Sequence, residues 1–483
     1  MKVKYLREVL QNVMMSEIPN IDNIIIKKII FDSRKIEPDS LFIAIKGFTS
    51  DGHSYLSEAE KRGAVAAVVE QKNEDISIPQ IVVKDSRKEL ARIAANFYGS
   101  ELSKMRLVGI TGTNGKTTTS FLIRAIMEAA GISSGLIGTI GYEVAGKHIK
   151  AWNTTPESID IFGMLSKMQQ NGQKGCVLEI SSHALSLNRI DFLNFDVAVF
   201  TNLTLDHLDF HKNFENYFNA KKKLFDHIRM GGRGVINIDD PYGKRILKEI
   251  KQDTITFSTS VEATVQALDW KSTMEGLSLH ITTSVGELSV NSPLIGKFNV
   301  ENILAALSAG MAMNFDLKTI KEGIENVTRI PGRLETVKID HKKTVIIDYS
   351  HTPDALQKTL KVLREVTLNT LWVVFGCGGD RDVSKRPIMG KIAEDYADHI
   401  VITSDNPRSE SPQAIVDMII QGISDSDNVH IELNRYDAIK YAIDHSEAGD
   451  TILIAGKGHE DYQEIKGKRY PFNDHEVVKE LLG

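Results

Sequence analysis

The sequence predicts an α/β protein built from repeated strand–loop–helix units, and three observations carry that expectation. The first is Leu107–Thr119, LVGITGTNGKTTT, where an apolar run enters a glycine loop. It leaves into FLIRAIMEAAG, apolar at helical spacing and stopped by Gly131. The second is a pair of later apolar runs that end in polar loops, GCVLEISSHAL and DVAVFTNLTLDHLDFH. The third is a restart of the pattern after residue 334, in TVIIDYSH, LWVVFGCGGDRD, DHIVITSDNPR and DTILIAGKGHE. Strands alternating with helices imply mostly parallel sheets. A length of 483 residues leaves room for about three domains.

Composition narrows the function classes. Hydrophobic residues at 42% and charged residues at 25% are ordinary for a soluble globular chain, so neither disorder nor a membrane is invoked. A net charge of −6 and a pI of 6.2 give no global pull toward nucleic acid or anionic membrane. A local basic pocket for an anionic ligand stays open. The two cysteines, Cys176 and Cys377, are far apart in apolar or glycine-rich surroundings. That argues for a reducing compartment and against a disulfide framework or a cysteine–zinc site. Charges interrupt the apolar residues of MKVKYLREVLQNVMM, unlike a signal peptide. No run approaches the roughly 18 apolar residues of a membrane span. The expected location is cytoplasmic, with no nucleic acid and no membrane insertion.

Taken in order, residues 1–103 read as a small α/β unit suited to recognition. Ile29–Phe31 and Leu41–Ile45 are β-like runs, and a helix closes near Gly63 before a strand at Ala64–Val69. IPQIVVKD is a further strand, and SRKELARIAANFYG an amphipathic helix with Ser86 placed to cap it. Residues 104–333 begin with the glycine loop. The strands Cys176–Ile180 and Val197–Thr201 then deliver Glu179, Ser181, Ser182, His183, Asp206, His207, Asp209 and His211 near their ends, where ligands of open α/β sheets gather. FENYFNAKKKLFDHI reads as a helix, and residues 235–295 are richer in β-like runs. Pro331 and Gly332, flanked by Arg329 and Arg333, mark a boundary. Residues 334–483 form a second doubly wound unit. The chain has no internal repeat and no low-complexity segment.

Chemistry concentrates at these strand ends. Glycines let backbone N–H groups turn onto phosphate oxygens, and a helix N-terminus adds partial positive charge. Gly112, Thr113, Asn114, Gly115, Lys116, Thr117 and Thr118 are therefore the expected cradle of an ATP site. Lys116 reaches the β/γ-phosphates and the Thr117 hydroxyl faces Mg²⁺. The strict pattern places Gly where this chain has Ile110, with Gly109 and Gly112 flanking the gap. Glu179 and His207 suit a hard cation, together with phosphate oxygens and water. The cluster DHLDFH suggests zinc, but no third strong ligand set accompanies it. Lys221–Lys223 alone read as a solvated helix face. The loops GGDRD, DNPR and GKGHE together suggest a pocket for an anionic or zwitterionic substrate, with Arg381 and Arg408 each able to fork onto a carboxylate.

At this point the motifs reach a family. GTNGKTTT, NTTP (Asn153–Pro156), LEISSHAL, TNLTLDHLDFH, GKFNVENILAA, IPGR, DYSHTPDAL, GGDRD, DNPR and GKGHE, in that order, resemble the Mur ligases of peptidoglycan synthesis. Within the family the resemblance is strongest to the branch that adds the third residue of the stem peptide. It runs from Asp32–Arg34 to Gly456–Glu460, nearly the whole chain.

The resemblance implies a three-domain Mur ligase architecture: a UDP-substrate domain, a central P-loop ATPase domain and a Rossmann-like C-terminal amino-acid domain. It implies amide formation through an acyl phosphate, with ATP as co-substrate and Mg²⁺, in a cytoplasmic pathway that serves cell shape and division. Thr117, Glu179 and His207 match Mg²⁺ groups, and Lys221 matches a carbamylated lysine (N6-carboxylysine). Lys116, Lys221, His207 and Glu179 are thus the expected catalytic set. Asn299, Asn302 and Arg333 match adenine- and ribose-side contacts. Ser33, Asn153, Thr154, Thr155, Ser181 and Arg189 match positions that hold UDP-N-acetylmuramoyl-L-alanyl-D-glutamate. Leu187 stands where some relatives carry a polar residue, at one sugar-side contact.

Arg381, Asp405, Asn406, Pro407, Arg408, Gly456 and Glu460 match the amino-acid site, and DNPR is the form found in ligases that take meso-diaminopimelate. That substrate is lysine with a second carboxylate on its far carbon, so a guanidinium there is a selective partner. Lysine-adding relatives lack this arginine. Glu460 suits an ammonium. The expected protein is a monomer. The alternatives are L-lysine as the added residue, a folylpolyglutamate synthase-like ligase, and a P-loop ATPase that switches conformation without making a bond.

Overall fold

The structure, a computed structural model, describes residues 3–17, 21, 23–47, 50–204, 206–339 and 343–482. Leu205, inside the TNLTLDHLDFH motif, lies outside them. The chain divides into two compact units. The first comprises Met1–Ala267, Thr282–Leu288 and Glu301–Ile324; the second comprises Leu268–Ile281, Ser289–Val300 and Glu325–Gly483.

Within the first unit an N-terminal sheet has the order Met15–Glu17, Gln80–Val83, Ala64–Val69, Ser40–Ile43, Lys28–Ile30. The last four strands are parallel and the first pairs antiparallel at the edge. Buried small and β-branched residues cover both faces of Ala64–Val69, as a parallel strand requires. The helix Ser86–Tyr98 packs on this sheet, and its cap corrects the sequence expectation. Asp85, not Ser86, is the N-cap and accepts from the Lys88 amide at 3.0 Å. Ser86 is already the first helical residue, and its hydroxyl is spent on Glu70 at 3.0 Å.

The central sheet sets Arg106–Thr111 between Gly175–Glu179 and Phe195–Phe200, all parallel. Ser134–Ile137 flanks one side, and Ile228–Asn237 followed by Thr254–Ser258 the other. Register places Glu179 opposite Ile110 and Phe200 opposite Thr111. Three strands therefore end level with one another at the glycine loop. The β-rich stretch contributes Val265–Thr273, Gly276–Thr283 and Gly286–Ser292.

The second unit has a sheet ordered Glu335–Ile339, Lys343–Asp348, Thr451–Ala455, Leu371–Phe375, His399–Ile402, Val429–Ile431. All but the first edge strand are parallel. Alternate residues feed two cores. Ile346, Val373, Phe375, Ile402 and Leu453 pack with residues of the helices Pro353–Val366, Lys385–Tyr396 and Pro412–Ile420. Val345, Ile347, Trp372, Val374, Val401, Ile452 and Ile454 pack with those of Arg435–His445 and Asp474–Leu482. Helices on both faces make the expected doubly wound layout. Among the described residues no helix is long and apolar enough to cross a membrane.

Candidate active site

In the first unit the strand Arg106–Thr111 runs through Gly112–Gly115 into the helix Lys116–Ala129. Gly115 is the N-cap, at φ +84°, and a Cβ there would collide with the Asn302 carboxamide. Only glycine meets both demands. The segment after Phe195–Phe200 braces the loop. Asn202 accepts from the Thr113 and Asn114 amides at 2.9 Å each, and the Thr201 hydroxyl donates to the Asn114 carbonyl at 2.6 Å. Lys116 Nζ donates to the carbonyls of Gly112 and Thr113, both at 2.8 Å. Thr118 is buried in the first turn of the helix.

Glu179, fully buried at the end of its strand, gathers hydroxyls. Its Oε2 accepts from Thr117 Oγ1 at 3.0 Å and Thr139 Oγ1 at 2.9 Å, and its Oε1 from the Thr139 amide at 3.0 Å. His207 takes a left-handed backbone, φ +53°, and its ring stands edge-on to His183 at 4.9 Å. Few residues other than glycine take the left-handed region, and histidine is among the more tolerant of them. Among the described residues no group of three His, Cys, Asp or Glu could hold a metal. A carboxylate and an imidazole with a hydroxyl suit a magnesium ion that takes its remaining ligands from phosphate and water.

The three lysines of AKKK separate by helical phase. Lys221 is buried, its Nζ 2.7 Å from the Gly112 carbonyl and 4.7 Å from the Tyr217 ring centre. Burial, then the Lys116 charge, pushes its pKa well below the usual lysine value. Lys222 is half-buried, 2.5 Å from Glu249, and Lys223 is exposed.

The NTTP loop joins the same network. Thr154 Oγ1 lies 3.1 Å from Thr139 Oγ1, while Thr155 Oγ1 donates to the Glu179 carbonyl at 2.8 Å and accepts from the Ser181 amide at 2.9 Å. The Asn153 carbonyl accepts from Tyr142 at 2.6 Å. Arg189 donates to the Thr155 carbonyl and pairs with Glu157, both at 2.9 Å, and Arg87 pairs with the same carboxylate oxygen at 2.9 Å. Ser33 is buried in a short 3₁₀ turn capped by Asp32. Asn302 accepts from Thr119 Oγ1 at 3.4 Å.

In the second unit Asn299 is buried and donates to the Ile295 carbonyl at 2.8 Å. The Arg333 guanidinium lies 5.2 Å from the Tyr349 ring centre. A cavity of about 610 Å³ opens at the strand ends. Arg381, Asp405, Asn406, Arg408, Gly456 and Glu460 all line it, with Tyr349, His351, Lys385 and Tyr462. Pro407 is not among the lining residues. Arg408 is held in a left-handed backbone, φ +50°, and its Nη1 donates to the Gly379 carbonyl at 2.6 Å. Its amide donates to the Glu464 carbonyl at 2.9 Å. Burial pushes the Tyr349 pKa up to about 12. Two guanidiniums (Arg381 and Arg408) and three carboxylates (Asp382, Asp405 and Glu460) around one cavity can receive a molecule that carries both charges.

Known proteins match this layout throughout. Residues 25–98 match the Mur ligase family catalytic domain, 110–310 the Mur ligase middle domain, and 332–458 the Mur ligase glutamate ligase domain. The UDP-N-acetylmuramoyl-L-alanyl-D-glutamate–2,6-diaminopimelate ligase of Clostridium tetani is 42% identical over 483 residues, covering 99% of each chain. The chain belongs to the Mur ligase family. The Aquifex aeolicus ligase of the same name is 44% identical, covering 95% of this chain and 94% of its own. A solved 2,6-diaminopimelate ligase superposes with a TM-score of 0.72 at 32% identity, over 100% of this chain and 99% of that one. Folylpolyglutamate synthase from Mycobacterium tuberculosis shares the fold alone, with a TM-score of 0.62 at 20% identity over 77% of this chain and 92% of its own.

The three-domain Mur ligase architecture is therefore the fold of this chain. Several residues of this Mur ligase that touch candidate site residues escaped the sequence reading: Thr139 and Glu157 in the first unit, and Tyr349, His351, Lys385 and Lys457 in the second. DYSH and GKGHE were visible as strand-end motifs, and they contain three of these. Thr139 and Glu157 carry no comparable signal.

Proposed function

We propose that the chain uses ATP to join meso-diaminopimelate to UDP-N-acetylmuramoyl-L-alanyl-D-glutamate, through an acyl phosphate of the glutamyl carboxylate. The observation that carries this reading is the cavity in which Arg381 and Arg408 meet Asp405, Asn406 and Glu460. Relatives named for this reaction, 42% and 44% identical along nearly the whole chain, support it.

Each residue set has a task. The Gly112–Thr118 loop and the helix N-terminus cradle the ATP phosphates, with Lys116 as the side-chain cation. Asn299, Asn302 and Arg333 serve the adenine and ribose side. Mg²⁺ bound by Thr117, Glu179 and His207 supplies charge neutralisation at the phosphates. Ser33, Asn153, Thr154, Thr155, Ser181 and Arg189 hold the UDP-linked substrate and orient its carboxylate, with Thr155 tied to the Glu179 carbonyl. Lys221 acts as a carbamate, an anion suited to a place beside a cation. Asp405, Asn406 and Glu460 receive the diaminopimelate ammonium, while Arg381 and Arg408 receive carboxylates. Gly456 keeps the wall of this cavity open and Pro407 fixes the turn before Arg408.

On this reading the chain has three domains, 1–103, 104–333 and 334–483. It works as a cytoplasmic monomer, where ATP and UDP-linked precursors are found, in the wall synthesis that cell shape and division depend on.

The deciding experiment is phosphate release from ATP in the presence of the UDP-dipeptide substrate, comparing meso-diaminopimelate with L-lysine. Turnover with diaminopimelate alone is expected, and Arg408→Ala removes that preference. Breaking one partner of a buried charge pair costs about 2–5 kcal/mol, so the preference falls by at least tenfold. Turnover with lysine alone overturns the diaminopimelate assignment, and equal ATP hydrolysis with no amino acid overturns the ligase reading.

A further inference from the structure

Lys457 is fully buried. It follows the strand Thr451–Ala455 and sits between two glycines in left-handed backbone, Gly456 at φ +113° and Gly458 at φ +53°. A Cβ on Gly458 would press on Tyr349 at 2.8 Å. The glycine pair thus lets the chain turn tightly around a lysine that does not reach solvent.

The Lys457 ammonium has three donors and three acceptors. It lies 3.2 Å from Asn406 Oδ1, 3.2 Å from Glu460 Oε2 and 3.5 Å from Asp405 Oδ1. Asn406 Oδ1 also accepts from the Glu464 amide at 2.9 Å. With its oxygen held twice, the carboxamide turns its Nδ2 to Glu460 Oε2, at 2.9 Å. Both bonds to Glu460 fall on Oε2, which leaves Oε1 for a ligand. Asp405, Asn406 and Glu460 line the cavity, and Lys457 touches all three from behind.

A buried ion pair is a poor device for stability, because apolar residues of the same size often stabilise as well or better. What the ammonium supplies here is orientation and charge balance. Asp405 and Glu460 carry two negative charges, and Lys457 leaves one, which a single substrate ammonium neutralises.

We propose that Lys457 is a positioning residue for the amino-acid substrate, fixing Asp405, Asn406 and Glu460 in the arrangement that receives its ammonium group. This rests on the reading of the cavity as the diaminopimelate site. In the full-length chain, Lys457→Met is expected to raise the KM for diaminopimelate about 30-fold or more, the equivalent of about 2 kcal/mol. The KM values for ATP and for the UDP-linked substrate stay within about threefold.

The double variant Lys457→Met/Glu460→Gln removes one charge of each sign. Its thermal midpoint recovers toward wild type while its KM for diaminopimelate stays raised. A single variant with KM unchanged overturns the proposal, and so does a double variant in which KM recovers along with the midpoint. If the wild-type chain releases no phosphate in response to diaminopimelate, the reading of the cavity itself fails, and this role fails with it.

Discussion

Lys221 and Lys116 both donate to the Gly112 carbonyl, at 2.7 and 2.8 Å. Two ammonium groups on one carbonyl repel each other, and burial disfavours the charge on Lys221 further. Both effects raise the share of neutral amine, which is the form that attacks CO₂: an N–C bond forms, a C=O π bond breaks, and the nitrogen loses a proton. Equilibrated with ¹³C-labelled bicarbonate, the chain is expected to show a carbamate carbonyl resonance that vanishes in Lys221→Arg. Phosphate release by that variant falls about 100-fold, the scale of losing one preorganised charged group. A spectrum identical in both chains rejects the modification. Asp160 makes a separate pH prediction. Burial, opposed by Lys35, raises its pKa from 3.8 to about 6. Between those values the folded chain holds a proton that the unfolded chain has lost, so stability falls as pH rises through the window, and the full cost is present above it. Asp160→Asn is therefore expected to raise the thermal midpoint at pH 7.5, with the gain gone by pH 4. A gain that persists at pH 4 rejects the assignment.

Among the elements, the last two helices of the second unit are tied by a fully buried pair. Arg435 Nε and Nη2 donate to the two Asp474 carboxylate oxygens at 2.7 and 2.8 Å, joining Arg435–His445 to Asp474–Leu482. Asp474→Ala strands the guanidinium and is expected to cost about 3–5 kcal/mol, whereas Arg435→Met/Asp474→Leu recovers most of it. Urea unfolding followed by circular dichroism measures both, and equal loss in the two variants rejects the argument. Strands and helices of this kind were legible in the sequence because apolar period and turn residues are local signals. Ala64–Val69 has the bounds its composition gives, and helical phase separates Lys221 from its neighbours. The helix cap was not legible: Asp85 and Ser86 are equally good caps locally, and Glu70, distant in sequence, decides between them by taking the Ser86 hydroxyl. Lys457 was hidden in the same way. GKGHE reads as a basic loop until the strand before it is placed in the middle of a sheet, which turns the lysine inward.

At the scale of the whole molecule, one carboxylate links the N-terminal sheet region to the central one within the first unit. The helix Ser86–Tyr98 packs on Ser158–Gln170, and at that seam Arg87 and Arg189 both pair with Glu157 Oε1 at 2.9 Å. Arg189 also donates to the Thr155 carbonyl, so Glu157 holds an arginine of the expected UDP-substrate site. Its influence should therefore be felt by one substrate and not the others. Glu157→Gln keeps the shape but weakens two charge-assisted bonds, each roughly twice as strong as a neutral one. The KM for the UDP-linked substrate is expected to rise about tenfold, with the KM values for ATP and diaminopimelate within about twofold. Arg87→Met, which cuts the seam but leaves the Glu157–Arg189 pair, should lower the thermal midpoint with a smaller effect on that KM. If both variants raise all three KM values together, the seam acts by holding the unit's shape and not by holding Arg189. If Glu157→Gln alone moves the UDP-substrate KM, the contact between the two regions is also a wall of the binding site.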